Sequence, residues 1–119
     1  MKLADSYTEE DILKFLGLAN RASKVVSGND QIIDEARRGN IKLLIVARDI
    51  SQNTFDKFLS VLTTFDREIP SAYRFADKRS LGNAIGRPDR ALVGVTDEGF
   101  AGKLELMLDR FEYKEELDQ

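Results

Sequence analysis

Leu43-Leu44-Ile45-Val46-Ala47 is apolar at every position, and Ala91-Leu92-Val93-Gly94-Val95 repeats the pattern late in the chain. A strand turns successive side chains to opposite faces, so a run without polar residues needs cover on both sides. Both segments are therefore expected as central strands of one sheet, with helices packed above and below. Neither should lie at an exposed edge.

The remaining segments supply that cover. Thr8 with Asp11 three residues on reads as a capped helix start, followed by the apolar stripe Ile12, Phe15, Leu16 and Ala19. Lys24-Val25-Val26 reads as a short strand. Residues 28–38 form an amphipathic helix stopped by Gly39. Ser51 caps a third helix that buries Phe55, Phe58, Leu59 and Leu62. Residues 70–75, from Pro70 to Phe75, form a less buried strand. Asp77 caps a fourth helix ending at Ile85-Gly86, and Asp97 caps a last one carrying Phe100, Leu104, Met107, Leu108 and Phe111. Strands alternating with helices predict an α/β domain, here a compact three-layer sandwich. At 119 residues, 42% hydrophobic and 33% charged, the chain suits a single globular domain.

Composition narrows the chemistry. Without Cys there are no disulfides, thiolate nucleophiles or Cys metal sites; without His the commonest general base and metal ligand are missing. Ser27, Ser51 and Ser80 have no histidine to activate them. Asp49, Asp77 and Asp97 all precede predicted helices, where N-caps belong. A non-enzymatic protein is expected, with no cofactor, metal or small-molecule substrate. No apolar run approaches the roughly 20 residues of a membrane span. The start, Met-Lys-Leu-Ala-Asp-Ser-Tyr, has no signal-peptide core, so a cytoplasmic location is expected. The net charge is −3, yet acidic residues concentrate in the ends, 1–14 and 105–119, and leave a mildly basic body between.

Two places in that body offer binding chemistry. The helix opening at Gly28 presents free backbone N–H groups at a positive dipole end, where an anion such as phosphate is favoured. On a helical wheel Ile32, Ile33 and Ala36 face the core, while Gln31, Asp34 and Arg38 face outward beside Asp30. The same charges also simply complement the macrodipole. The second place is Gly86-Arg87-Pro88-Asp89-Arg90, two arginines around a proline that fixes the backbone; by itself it reads first as an ordinary polar connection.

The run Gly28…Arg38-Gly39-x-x-Lys42-Leu43-x-x-x-Ala47-x-Asp49, followed by Leu81-Gly82-x-Ala84-x-Gly86, resembles the kink-turn RNA-binding superfamily of ribosomal proteins, of the L-seven-Ae and L-thirty-e type. Leu16-Gly17-Leu18-Ala19-x-Arg21-Ala22-x-Lys24-x-Val26-Ser27-Gly28 and Val95-Thr96-Asp97-x-Gly99-Phe100-Ala101 resemble its bacterial YlxQ-type branch. The resemblance covers about residues 12–108. It implies an α/β/α sandwich with a four-stranded mixed sheet. It also implies RNA binding through the Gly28 helix and the loop before the last strand, on a duplex kinked by tandem sheared G·A pairs. The superfamily's helix opens Gly-x-Asn-Glu-x-x-Lys; this chain has Asp30, Gln31 and Asp34 at the last three of those positions. The mostly apolar second loop of the superfamily is replaced by Arg87-Pro88-Asp89-Arg90, which favours backbone contacts or another RNA shape.

The expected partner is a structured RNA, ribosomal RNA included, in a translation context. Gly28 and Asn29 would present N–H groups, Asp30 and Gln31 would meet base edges, and Lys24, Arg38, Arg87 and Arg90 would meet phosphates. The alternative is a module that binds a protein partner in translation, without touching RNA.

Overall fold

The computed structural model describes residues 6–65, 69 and 71–111. In chain order the elements are α1 (Glu9–Arg21), β1 (Val25–Ser27), α2 (Asn29–Arg37), β2 (Leu43–Val46), α3 (Gln52–Thr64), β3 (Ala72–Arg74), α4 (Lys78–Ala84), β4 (Leu92–Val95) and α5 (Glu98–Asp109). They form one sheet in the order β1-β4-β2-β3. β4 is antiparallel to both neighbours, and β2 and β3 are parallel. β1, β2 and β3 thus run the same way, so α2, α3 and α4, which follow them, all begin at one end of the sheet.

The two apolar runs are the central pair, with Leu43 opposite Val95 and Val46 opposite Leu92. Leu43, Ile45, Val93 and Val95 pack against Ile12 and Leu16 of α1, Leu81 of α4 and Leu104 of α5. Leu44, Val46 and Leu92 pack against Ile32 and Ala36 of α2 and Phe58 of α3. This strict alternation is why no polar residue is tolerated in either run. Each fully buried Leu or Ile contributes about 1.5–3 kcal/mol. The architecture is the expected three-layer α/β/α sandwich on a mixed four-stranded sheet.

Boundaries move by a residue or two. β1 covers Val25–Ser27 in place of 24–26, because Ser27 still pairs with Val93 across the ladder. β3 is shorter than 70–75 and lies at an edge with Ala72 and Arg74 exposed; Pro70 is outside the described residues. Phe111 is not part of the last helix. α5 ends at Asp109, and Phe111 instead forms a bridge with Tyr7 and sets its ring edge-on to Phe75 at 5.1 Å.

The acidic residues near the ends have local partners where they are described. Asp11 and Thr8 complete a reciprocal capping box, each bond 3.1 Å long. Glu9 reaches Arg48 at 3.7 Å and Glu10 reaches Lys14 at 3.4 Å. At edge strand β3, Asp109 accepts the Tyr73 hydroxyl at 2.5 Å; burial first, and then this carboxylate, raise the phenol above its ordinary range.

Candidate nucleic-acid interface

Gly28 is the N-cap of α2 at φ 89° and ψ 141°, a conformation open to glycine and strained for other residues. No side chain among the described residues caps this helix. The other four described helix starts are closed: Thr8, Ser51, Asp77 and Asp97 each accept a first-turn N–H of α1, α3, α4 and α5. The α2 dipole end is thus the uncapped one. Asn29, Asp30 and Gln31 are exposed, and their side chains make no hydrogen bond to other described residues.

The floor beneath α2 explains its position. A Cβ on Gly94 of β4 would stand 2.7 Å from Ile41 Cδ1 and 3.1 Å from Ile32 Cδ1. Lacking one, β4 lets α2 lie close on the sheet, and Ile32 is fully buried there. At the far end of α2, the Gly39 N–H bonds to the Ala36 carbonyl at 3.0 Å and the Asn40 N–H to the Glu35 carbonyl at 2.9 Å, a Schellman closure.

The 86–90 loop reaches the same end of the sheet because β4 begins there, opposite the end of β1. Two contacts fasten it to α4. The Arg87 N–H donates to the Gly82 carbonyl at 2.8 Å, and the Arg90 N–H donates to the Lys78 carbonyl at 2.9 Å. Gly82 is required by this packing: a Cβ there would lie 2.0 Å from the Pro88 carbonyl oxygen. A third contact crosses to β1, where Arg90 Nε donates to Ser27 Oγ at 3.1 Å. The Gly28 helix and the arginine loop are thereby joined at the residue just before Gly28.

The eight candidate residues do not all assemble. Gly28, Asn29, Asp30 and Gln31 form the first turn of α2, and the Arg90 bond brings the loop carrying Arg87 beside it. Arg87 is exposed, and its side chain has no partner among the described residues. Lys24 sits at the other end of β1, where its carbonyl accepts the Thr96 N–H at 2.9 Å. Arg38 is the C-cap of α2, and its guanidinium pairs with Asp34 at 3.3 Å, as Arg37 does at 3.4 Å. Such exposed pairs contribute only a few tenths of a kcal/mol, so they reorganise readily.

Two residues of this end carry no site signal in the sequence. Ser27 is one, since its link to Arg90 spans 63 positions. Asp49 is the other, because its place before α3 suggests an N-cap. Its carboxylate instead accepts the Lys78 N–H of α4 at 2.9 Å, while Ser51 caps α3. No local pattern announces either contact. Among the described residues, no three His, Cys, Asp or Glu side chains are placed to hold a metal ion, and no helix is long and apolar enough to cross a membrane.

Residues 10–105 match the Ribosomal protein L7Ae/L30e/S12e/Gadd45 family. The chain belongs to this family. Among its relatives, the RNA-binding protein YlxQ of Bacillus subtilis is 44% identical over 95 residues, covering 79% of this chain and 91% of that protein. The large ribosomal subunit protein eL8 of Thermoplasma volcanium is 29% identical over 96 residues, covering 77% of this chain and 78% of the other. A solved structure of a protein with unknown function from Bacillus halodurans superposes with a TM-score of 0.70 at 31% identity, over 82% of this chain and 96% of that one. The Giardia lamblia 15.5kD RNA binding protein shares the fold, with a TM-score of 0.62 at 16% identity, over 85% of each chain. The span matched to the L7Ae/L30e/S12e/Gadd45 family contains the α2 start, the 86–90 loop and the Ser27–Arg90 link between them.

Proposed function

We propose that this chain is a non-catalytic, cytoplasmic RNA-binding protein that recognises a structured, kink-turn-like RNA, ribosomal RNA among the candidates, in a translation context. One observation carries the reading. The uncapped α2 start lies beside a loop bearing an exposed arginine, and neither that arginine nor the first-turn side chains have partners among the described residues. Free N–H groups and a dipole end suit a phosphate, and an arginine fork suits a second. Asp30 and Gln31 supply an acceptor and an amide for base edges. Lys24 and Arg38 stand farther out and would serve phosphates beyond the first turn. The family membership and the names of the relatives support RNA as the ligand.

The test is a fluorescence titration with a synthetic kink-turn duplex and with a straight duplex of equal length. Tighter binding of the kinked RNA is expected. Equal affinity for both would remove the shape preference. No binding to either, together with a stable protein partner recovered from cytoplasm, would replace the reading with the protein-interaction alternative.

A further inference from the structure

Arg87 and Arg90 flank the same proline, but the fold treats them differently. Arg87 is exposed and its side chain has no partner among the described residues, whereas Arg90 is half-buried and held. Two edges of the Arg90 guanidinium are occupied: Nε donates to Ser27 Oγ and Nη1 to the Asp89 carbonyl, both at 3.1 Å. Its backbone N–H is bonded to Lys78 of α4 at 2.9 Å. A planar guanidinium fixed at two edges has little freedom to follow a phosphate. It can hold a distance instead.

We infer that Arg90 is a positioning residue: its bond to Ser27 holds the 86–90 loop against the start of α2 and so sets the spacing of the two halves of the RNA surface, while Arg87 supplies the loop's phosphate contact. The inference rests on the RNA reading above and assigns to Ser27, an uncharged residue outside the loop, a share in binding. The remainder of the loop is already held by α4, through the Gly82–Pro88 packing and the Arg87 N–H bond. The Ser27–Arg90 bond carries that hold across to β1, and β1 leads directly into Gly28.

A positioning role and a phosphate contact separate by salt dependence. Removing one phosphate contact lowers the slope of log affinity against log salt by about one unit, whereas a lost spacing contact leaves it unchanged. With the kink-turn duplex as probe, Ser27→Ala should bind about three- to tenfold more weakly, the range of a single hydrogen bond, with the parental slope. Ser27→Thr keeps the hydroxyl and should bind as the parent does. Arg87→Ala should lower the slope by about one unit. Ser27→Ala combined with Arg90→Ala should be no worse than Arg90→Ala alone.

Hydrogen exchange on the free protein gives a readout that needs no RNA. Ser27→Ala should speed exchange at Ile32, Arg87 and Arg90, whose N–H groups are bonded to Gly28, Gly82 and Lys78, with the thermal midpoint preserved. Unchanged exchange there would overturn the inference whether or not RNA binds. Parental affinity in Ser27→Ala would overturn it as well, and so would a slope lowered by about one in Arg90→Ala, which would make Arg90 a direct phosphate contact. A parent that binds neither duplex, with exchange accelerated in Ser27→Ala, would remove the RNA reading and leave the mechanical link standing.

Discussion

α2 and α4 begin at the same end of the sheet, yet their first turns are finished in opposite ways. At α4, Asp77 accepts the Ser80 N–H at 2.7 Å and Asp49 accepts the Lys78 N–H at 2.9 Å. The hydrogen bond from the Ser80 backbone is the main reason the Asp77 carboxyl is held below its ordinary value of 3.8. At α2, Gly28 has no side chain to do this, and the preceding Ser27 hydroxyl is engaged with Arg90. The same feature, a positive helix end, is neutralised internally in one place and left available in the other. Availability therefore depends on the capping residue and its backbone conformation more than on the number of cations nearby.

Substitutions can break this contrast from either side. The largest effect is expected at Gly82, where Gly82→Ala would push a Cβ to 2.0 Å from the Pro88 carbonyl oxygen and force α4 and the loop apart. A stability loss of about 3 kcal/mol in urea unfolding is expected, the upper range for overpacking. Parental stability would mean that the loop yields easily and is no fixed half of a surface.

Gly28→Ala comes next. Nothing lies within 4 Å of the added Cβ, so any cost comes from the backbone at φ 89°. About 1–3 kcal/mol is expected. A smaller loss would show that α2 can begin in another conformation, and that glycine is not what keeps its start open.

Asp77→Ala should cost about 1 kcal/mol, the usual value of an N-cap, and leave RNA affinity unchanged. The pH dependence has a definite sign. A lowered carboxyl pKa contributes stability at pH above the ordinary 3.8 and loses it as pH falls through the depressed folded value. The gap between parent and variant in thermal midpoint should therefore be full at neutral pH and close under acid titration. A gap that persists in strong acid would point to packing and not to the cap.

The smallest expected effect is at Asp34, which pairs with both Arg37 and Arg38 on the outward face of α2. Asp34→Lys removes a carboxylate and releases the Arg38 guanidinium, while Arg37 keeps its place over the Phe65 ring. Binding to the kink-turn duplex should tighten a few-fold, and the salt slope should steepen by about one unit if a single new phosphate contact forms. Unchanged titrations at low salt would place the RNA away from the middle of α2.

Much of this organisation is legible in the residues themselves. Four of the five described helix caps follow from short-range rules, since Thr8, Ser51, Asp77 and Asp97 stand immediately before apolar-periodic segments and bond to N–H groups three residues on. The two central strands follow from their uninterrupted apolar content. Gly28 and the 86–90 loop stand out in the sequence as places with chemistry, and the fold fastens the loop to the residue just before Gly28. The different status of Arg87 and Arg90 is not legible, because identical residues on either side of one proline carry no local sign of which will be held. Lys24 and Arg38 illustrate the same limit. Each is close in sequence to α2, but a strand's length and a helix's length put them at far ends.

The sequence by itself determined the layers, the burial of the central strands and the helix starts, because these depend on side-chain period and on hydrogen bonds between residues three or four apart. Only the tertiary structure decided what stands beside the open helix start and which arginine is held there. Ser27 with Arg90, 63 positions apart, and Asp49 with Lys78, 29 apart, are contacts between segments that meet only when the sheet and its helices have assembled. Their geometry is set by the packing of the whole sheet, a cooperative outcome that no local stretch of residues encodes.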